Sequence, residues 1–153
     1  MSERIHLLNT KVDNLSMEET VGRVAGAVQS GQQIHHVVVN AGKIVALQKD
    51  KQLFDSVNEA DLINADGQAV VWASRFLNKP LKERVAGIDL FVNLLHWAHQ
   101  EKHTIYLLGA ESEVLETLVT KLSKKFSPAL IAGYHHGYFQ EQEEWLLDYT
   151  KQA

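Results

Sequence analysis

Along this chain a short apolar run rich in strand-forming residues repeatedly stops at a polar or glycine tip and gives way to a helical pattern. The run "IHHVVV" ends at Asn40 and is followed by "AGKIVALQKD"; "DLINA" ends at Asp66-Gly67 and is followed by "QAVVWASRFL", closed by "NKP". Similarly, "TIYLL" ends at Gly109 ahead of a helix over about 111–126 that Ser127-Pro128 breaks, and "ALIAG" runs into the loop "YHHGYF" ahead of a final helix from about 141. Further helices are expected over about 17–30, opened by a capping box at Ser16 and Glu19 and stopped at Gly31, over about 51–59, and over about 88–101. Strands that are apolar without two-residue alternation and are separated by helices are buried on both faces, which calls for a parallel sheet between helices. The expected fold is therefore an α/β, Rossmann-like sandwich with a mainly parallel sheet. A length of 153 residues suits a single domain, 1–153, built on one core.

Composition narrows the function. A formal net charge of −4 leaves no excess of Lys and Arg to neutralise a phosphate backbone, so nucleic acid is not an expected partner. The absence of cysteine excludes disulfides, thiolate zinc sites and a Cys nucleophile. Histidine pairs stand at His35-His36 and His135-His136, but adjacent residues of a strand point to opposite faces and no H-x-x-x-H with a nearby carboxylate occurs. No metal and no other cofactor is expected. A G-x-S-x-G elbow, a G-x-G-x-x-G fingerprint and a P-loop are all missing. The start, "MSERIHLLNTKVDNLS", has no basic-then-apolar signal pattern, and no window approaches the roughly 18 apolar residues of a membrane span, so a cytoplasmic protein is expected.

In an open parallel sheet, ligands bind outside the carboxyl ends of the strands. The tips Asn40, Asp66-Gly67, Gly109-Ala110 and the loop from Tyr134 to Phe139 are then expected on one rim. Asp66 has two readings that partly exclude each other: an N-cap whose carboxylate accepts a backbone N–H, or a general base that takes the proton of an attacking hydroxyl, with Gly67 allowing a ligand close to the backbone. Asn40 is likewise either a cap or a polar ligand contact. Gly109 would let a diphosphate approach the next helix N-terminus. In the loop holding Lys82, Glu83 and Arg84 the charges are either a solvated surface or, at Arg84, a bidentate phosphate contact.

Taken in order, "VVVNAGKIVALQKD", "ADLINADGQAVVWASRFLNKPLKERVAGIDLF", "IYLLGA" and "IAGYHHGYF" resemble the successive blocks of the TagA/WecG/CpsF family of bacterial glycosyltransferases, over roughly residues 5–150. The most specific part runs from Asp61 to Leu90. The resemblance implies transfer of an N-acetylhexosamine of the N-acetylmannosamine type, or a related sugar, from a UDP-sugar donor to a polyprenyl-diphosphate-linked acceptor. It implies inversion, no bound metal, and a place in cell-surface polysaccharide synthesis such as that of teichoic acid. By the same resemblance Asp66 is the catalytic base, Asn40, Gly67 and Arg84 line the substrate pocket, and Gly109, Gly137 and Tyr138 lie near the nucleotide sugar. Val38 stands where the family often has Thr. Family members continue into a basic C-terminal appendage implicated in membrane docking, so the chain is expected to be truncated at that end. Peripheral contact with the inner face of the plasma membrane and a homo-oligomer that covers an exposed sheet edge are further expectations. The alternative function is a catalytically impaired module that binds nucleotide sugar or assembles with other proteins.

Overall fold

A computed structural model describes residues 4–138, which fall into two compact units divided between residues 94 and 95. The helix expected from about 141 and residue Phe139 lie outside the described residues.

The first unit opens with an antiparallel hairpin, β1 (Arg4–Leu7) and β2 (Thr10–Asp13), in register Leu7 to Thr10. The helix α1 (Met17–Gln29) follows, then β3 (His36–Val39), α2 (Ala41–Ala46), α3 (Lys51–Asn58), β4 (Leu62–Ala65) and α4 (Gln68–Phe76). Strands β3 and β4 pair in parallel, with Val39 opposite Ala65, so their carboxyl ends finish side by side at Asn40 and Asp66. Parallel pairing needs a crossover, and here α2 and α3 supply it.

The two faces of this pair differ. Val37, Val39, Ile63 and Ala65 join Ile44, Leu47, Val57, Val70 and Val71 in the apolar core, so α2, α3 and α4 cover that side. On the opposite face, Asn64 is fully buried, accepts a hydrogen bond from His36 Nε2 (2.9 Å) and donates to Thr20 Oγ1 of α1 (3.1 Å). Thr20 in turn donates to the Ser16 carbonyl at 2.8 Å. A buried carboxamide left without partners would cost about 1–3 kcal/mol, and this chain satisfies it from both sides. Burial holds the His36 imidazolium back and lowers its pKa, while the Asn64 bond works in the other direction.

The hairpin is fastened to β4 by Asp13, a buried acid that accepts from Ile63 N (2.8 Å) and pairs with Arg4 Nε (3.0 Å). Arg4 also donates to the carbonyls of Ala60 and Asp61. The hairpin is not legible in advance, because its two-residue turn, Leu8-Asn9, puts Leu8 rather than a glycine at φ 54°.

The helix α5 (Gly87–Gln100) carries the chain from the first unit into the second. The second unit continues with β5 (Ile105–Leu108), α6 (Ser112–Lys125), a 3-10 turn at Pro128–Leu130 and β6 (Ile131–His135), with β5 and β6 parallel. Gly133 sits opposite Tyr106 in that ladder, and a Cβ there would fall 2.7 Å from Tyr106 Cε2, so the ring lies where only glycine leaves room. His135 and His136 stand ring to ring with centroids 4.4 Å apart, and three other histidines pack on aromatic rings. His96 and His99 stand edge-on to Phe126, and His103 stacks on Trp97. The described residues thus form a Rossmann-like α/β architecture of helices and short parallel pairs, as the periodicity requires.

Candidate functional site

At the β3–β4 tip the cap and base readings can be separated. The N-cap of α4 is Gly67, not Asp66, and that cap has no side-chain hydrogen bond. Asp66 is held by its backbone N–H, which donates to the Val39 carbonyl (2.9 Å) and continues the ladder one step past the strands. Among the described residues none donates a hydrogen bond to its half-buried carboxylate. By the two-residue strand period the side chain projects on the face of Asn64, towards the start of α5. Asp66 Oδ2 lies 3.8 Å from where a Cβ on Gly87 would sit, and the Val38 methyls lie 3.5 and 3.8 Å from the same point. Gly87 is a site neighbour that sequence reasoning passed over.

Asn40 is a cap: its Oδ1 accepts from Lys43 N at 2.9 Å and opens α2. The space that Gly67 leaves open is filled by the protein itself, since a Cβ there would fall 3.3 Å from Asn40 Cβ and 3.4 Å from its Cα. Asn40, exposed at the tip, keeps its amide NH2 free of hydrogen bonds to the described residues. Lys43 folds back from α2 to donate its Nζ to the Val38 carbonyl (2.9 Å).

The loop that follows α4 returns to this tip, with Val85 N donating to the Ala65 carbonyl at 2.9 Å. Its charges are mostly structural. Lys82 grips Glu19 through both carboxylate oxygens (2.6 and 2.8 Å), and Glu83 accepts from Met17 N at the head of α1. The expected capping box is present, with Glu19 N donating to Ser16 Oγ (3.2 Å) and Ser16 N to Glu19 Oε2 (2.7 Å). The Lys82 bond, aided by the Ser16 N–H, lowers the pKa of Glu19. Arg84 differs: it is exposed and among the described residues reaches only Asp89 Oδ2 at 3.6 Å, a pairing of the kind worth about 0–1 kcal/mol, so its guanidinium is cheaply redirected.

In the second unit Gly109 and Gly137 are brought together. Gly109 N donates to the His135 carbonyl and Gly137 N to the Ala110 carbonyl, each at 3.0 Å, and a Cβ on Gly137 would stand 3.2 Å from Gly109 Cα. Gly109 has φ 131°, which other residues rarely adopt, and Ala110 follows at φ 62°. The next residue, Glu111, is the N-cap of α6 but gives it no side-chain hydrogen bond. Tyr138 is 71% exposed, its N–H donating to His136 Nδ1 at 3.2 Å.

One concavity of the first unit lies at the head of α1, lined by Ser16, Met17, Glu18, Val21, Glu83 and Asn93, and two others lie at the amino ends of the strands, one lined by Arg4, Asp13, Glu19, Arg23 and Asp61 and another by His35, Lys51, Asp55 and Glu59. Neither of these two lies at the carboxyl ends of the strands, and an acid at a strand tip without a partner among the described residues is the stronger pointer. Among the described residues no three His, Asp or Glu side chains converge as a metal-binding group, and no helix is long and apolar enough to cross a membrane.

Known proteins share this arrangement of blocks. The chain is 38% identical over 104 residues to the N-acetylglucosaminyldiphosphoundecaprenol N-acetyl-beta-D-mannosaminyltransferase of Bacillus subtilis (strain 168), covering 68% of this chain and 41% of the relative. It is 30% identical over 150 residues to the protein of the same name from Staphylococcus aureus (strain NCTC 8325 / PS 47), covering 97% of this chain and 59% of the relative. It therefore spans about half the length of the curated relatives it matches. The model of the WecG/TagA/CpsF glycosyl transferases matches residues 5–153, and the chain belongs to that family.

Proposed function

We infer that this chain is the core of a glycosyltransferase that moves an N-acetylhexosamine of the N-acetylmannosamine type, or a related sugar, from a UDP-sugar to a polyprenyl-diphosphate-linked acceptor in bacterial cell-surface polysaccharide synthesis, with Asp66 as general base. One observation carries the reading of the site: Gly67 takes the cap position, so the Asp66 carboxylate is left at the tip without a hydrogen-bond partner among the described residues. A carboxylate committed to a cap is a poor base, and this one is not so committed. The relatives' names, which specify an N-acetylmannosaminyltransferase and an undecaprenyl-diphosphate acceptor, support the substrate class.

In the proposed reaction the acceptor hydroxyl oxygen attacks the anomeric carbon of the donor from the face opposite the diphosphate. A new C–O bond forms, the bond to the UDP oxygen breaks with its electron pair, and the hydroxyl proton passes to Asp66. The sugar configuration inverts. Negative charge grows on the leaving diphosphate and is met by preorganised donors. Arg84, held only loosely by Asp89, and the backbone N–H groups that follow Gly109 are assigned that role. Asn40 offers its amide to the substrates, and Gly137 and Tyr138 are assigned to the nucleotide sugar.

The test is transfer from UDP-N-acetylmannosamine to a short-chain prenyl-diphosphate-linked N-acetylglucosamine in detergent. Turnover that Asp66→Asn lowers by about two to four orders of magnitude, with donor binding retained, supports the assignment. Donor binding without turnover in the unaltered chain would assign it to the nucleotide-sugar-binding alternative.

A further inference from the structure

The helix α4 buries Val70, Val71 and Ser74 but turns Trp72 and Phe76 outward, 64% and 88% exposed. Four residues apart, they stand one above the other on the same helix face. Leu77, 43% exposed, extends the apolar surface. The charge along α4 and the turn after it has one sign: between Gln68 and Leu81 the sequence holds Arg75 and Lys79 and neither Asp nor Glu, although the whole chain carries −4. Arg75 forms no ion pair among the described residues, and the exposed Lys79 reaches only the His6 carbonyl, at 3.1 Å.

This combination discriminates between occupants. A second copy seated symmetrically on the same face would bring Arg75 and Lys79 against their own likenesses. The two aromatic side chains also fall short of the roughly 800 Å² that each partner buries in a standard interface. An anionic lipid surface meets both requirements, because its headgroups neutralise the cations while indole and phenyl rings enter the boundary between headgroup and acyl chain. We propose that the Trp72–Phe76 face of α4, flanked by Arg75 and Lys79, docks on an anionic lipid surface. The proposal rests on the glycosyltransferase reading, whose acceptor is lipid-linked. Trp72 lies about 8 Å along the helix from Gly67, so docking here keeps the Asp66 tip within reach of the headgroup layer.

The experiment measures sedimentation with vesicles of phosphatidylglycerol and phosphatidylcholine against phosphatidylcholine alone, with Trp fluorescence as a second readout. The unaltered chain is expected to bind the anionic vesicles and ignore the neutral ones. Replacing Trp72→Ser and Phe76→Ser together is expected to weaken binding about tenfold or more, and Arg75→Gln or Lys79→Gln about fivefold each. Circular dichroism and thermal unfolding should be unchanged, because these side chains are exposed. Failure of the unaltered chain to bind anionic vesicles overturns the proposal, as does a double variant that binds equally well. A dimer that the double variant splits, without vesicle binding, would give the face to a second copy. The vesicles hold no acceptor sugar, so loss of docking is read separately from loss of transfer, which the detergent assay reports.

Discussion

The tips of the two parallel pairs solve one geometric problem with different chemistry. In both, the backbone beyond one strand closes on the backbone beyond its neighbour, with Gly67 against Asn40 in the first unit and Gly137 against Gly109 in the second. The first tip then uses its polar groups as side chains: Asn40 caps α2 and the Asp66 carboxylate is left without a hydrogen-bond partner among the described residues. The second tip presents main chain, with Gly109 and Ala110 at positive φ and α6 opening without a side-chain cap. A carboxylate can accept a proton, whereas uncapped N–H groups can only hold an anion. The contrast teaches that a parallel pair does not dictate the chemistry of its end; the residue just past each strand does.

The largest expected effect tests that division of labour. Asp66→Asn should cut transfer by about two to four orders of magnitude while changing stability by no more than about 0.5 kcal/mol, because the side chain makes no hydrogen bond among the described residues. Parallel assays of transfer and of urea unfolding check it, and a marked loss of stability would mean that Asp66 has a structural partner beyond the described residues. Next, Gly109→Val forces a branched side chain into φ 131° and should cost about 1–3 kcal/mol, and donor binding measured by calorimetry should weaken with it. If donor binding instead survives a folded Gly109→Val variant, the backbone role of the second tip fails. Asn40→Ala removes the α2 cap and is expected to cost about 1 kcal/mol in chemical unfolding.

The smallest effect concerns pH. His36 is held neutral by burial, its folded pKa below the ordinary 6.5, so its contribution to stability is full above 6.5 and is lost as pH falls from there through the folded value. Unfolding midpoints measured at about pH 8 and about pH 5 should differ less in His36→Gln than in the unaltered chain. An equal difference would assign the pH dependence to groups other than His36, and not to Glu19, whose carboxyl titrates below that interval. The Glu19 bond to Lys82 weakens only when pH drops through that carboxylate's lowered value.

Much of this was legible in the sequence, for physical reasons that also mark where legibility ends. Apolar runs gave β3, β4, β5 and β6, and the Ser16–Glu19 box placed the start of α1, because strand burial and helix capping are local. The hairpin at Arg4–Asp13 was not legible: its turn uses Leu8 at φ 54°, and its anchor, Asp13 to Ile63 N, joins residues distant in sequence. At the site, Asn40 read as either cap or ligand contact, and its Oδ1 proves to cap. For Asp66 the propensity rule points to a cap, but the ladder runs one residue past β4 and shifts that position to Gly67. Gly87 beside Asp66 and Glu83 at the head of α1 depend on tertiary folding that brings distant segments together, which no local pattern encodes.

The grip of Lys82 on Glu19 and of Glu83 on Met17 bears on how this loop can vary. Both residues before Arg84 are moored to α1, and Val85 just after it is moored to β4, so Arg84 sits on a spacer of fixed length. A single residue inserted or deleted between Leu81 and Val85 would release at least one mooring and redirect Arg84, whereas most surface loops absorb such changes freely. Length at this point is accordingly a more stringent constraint than the identity of the charged residues that fill it.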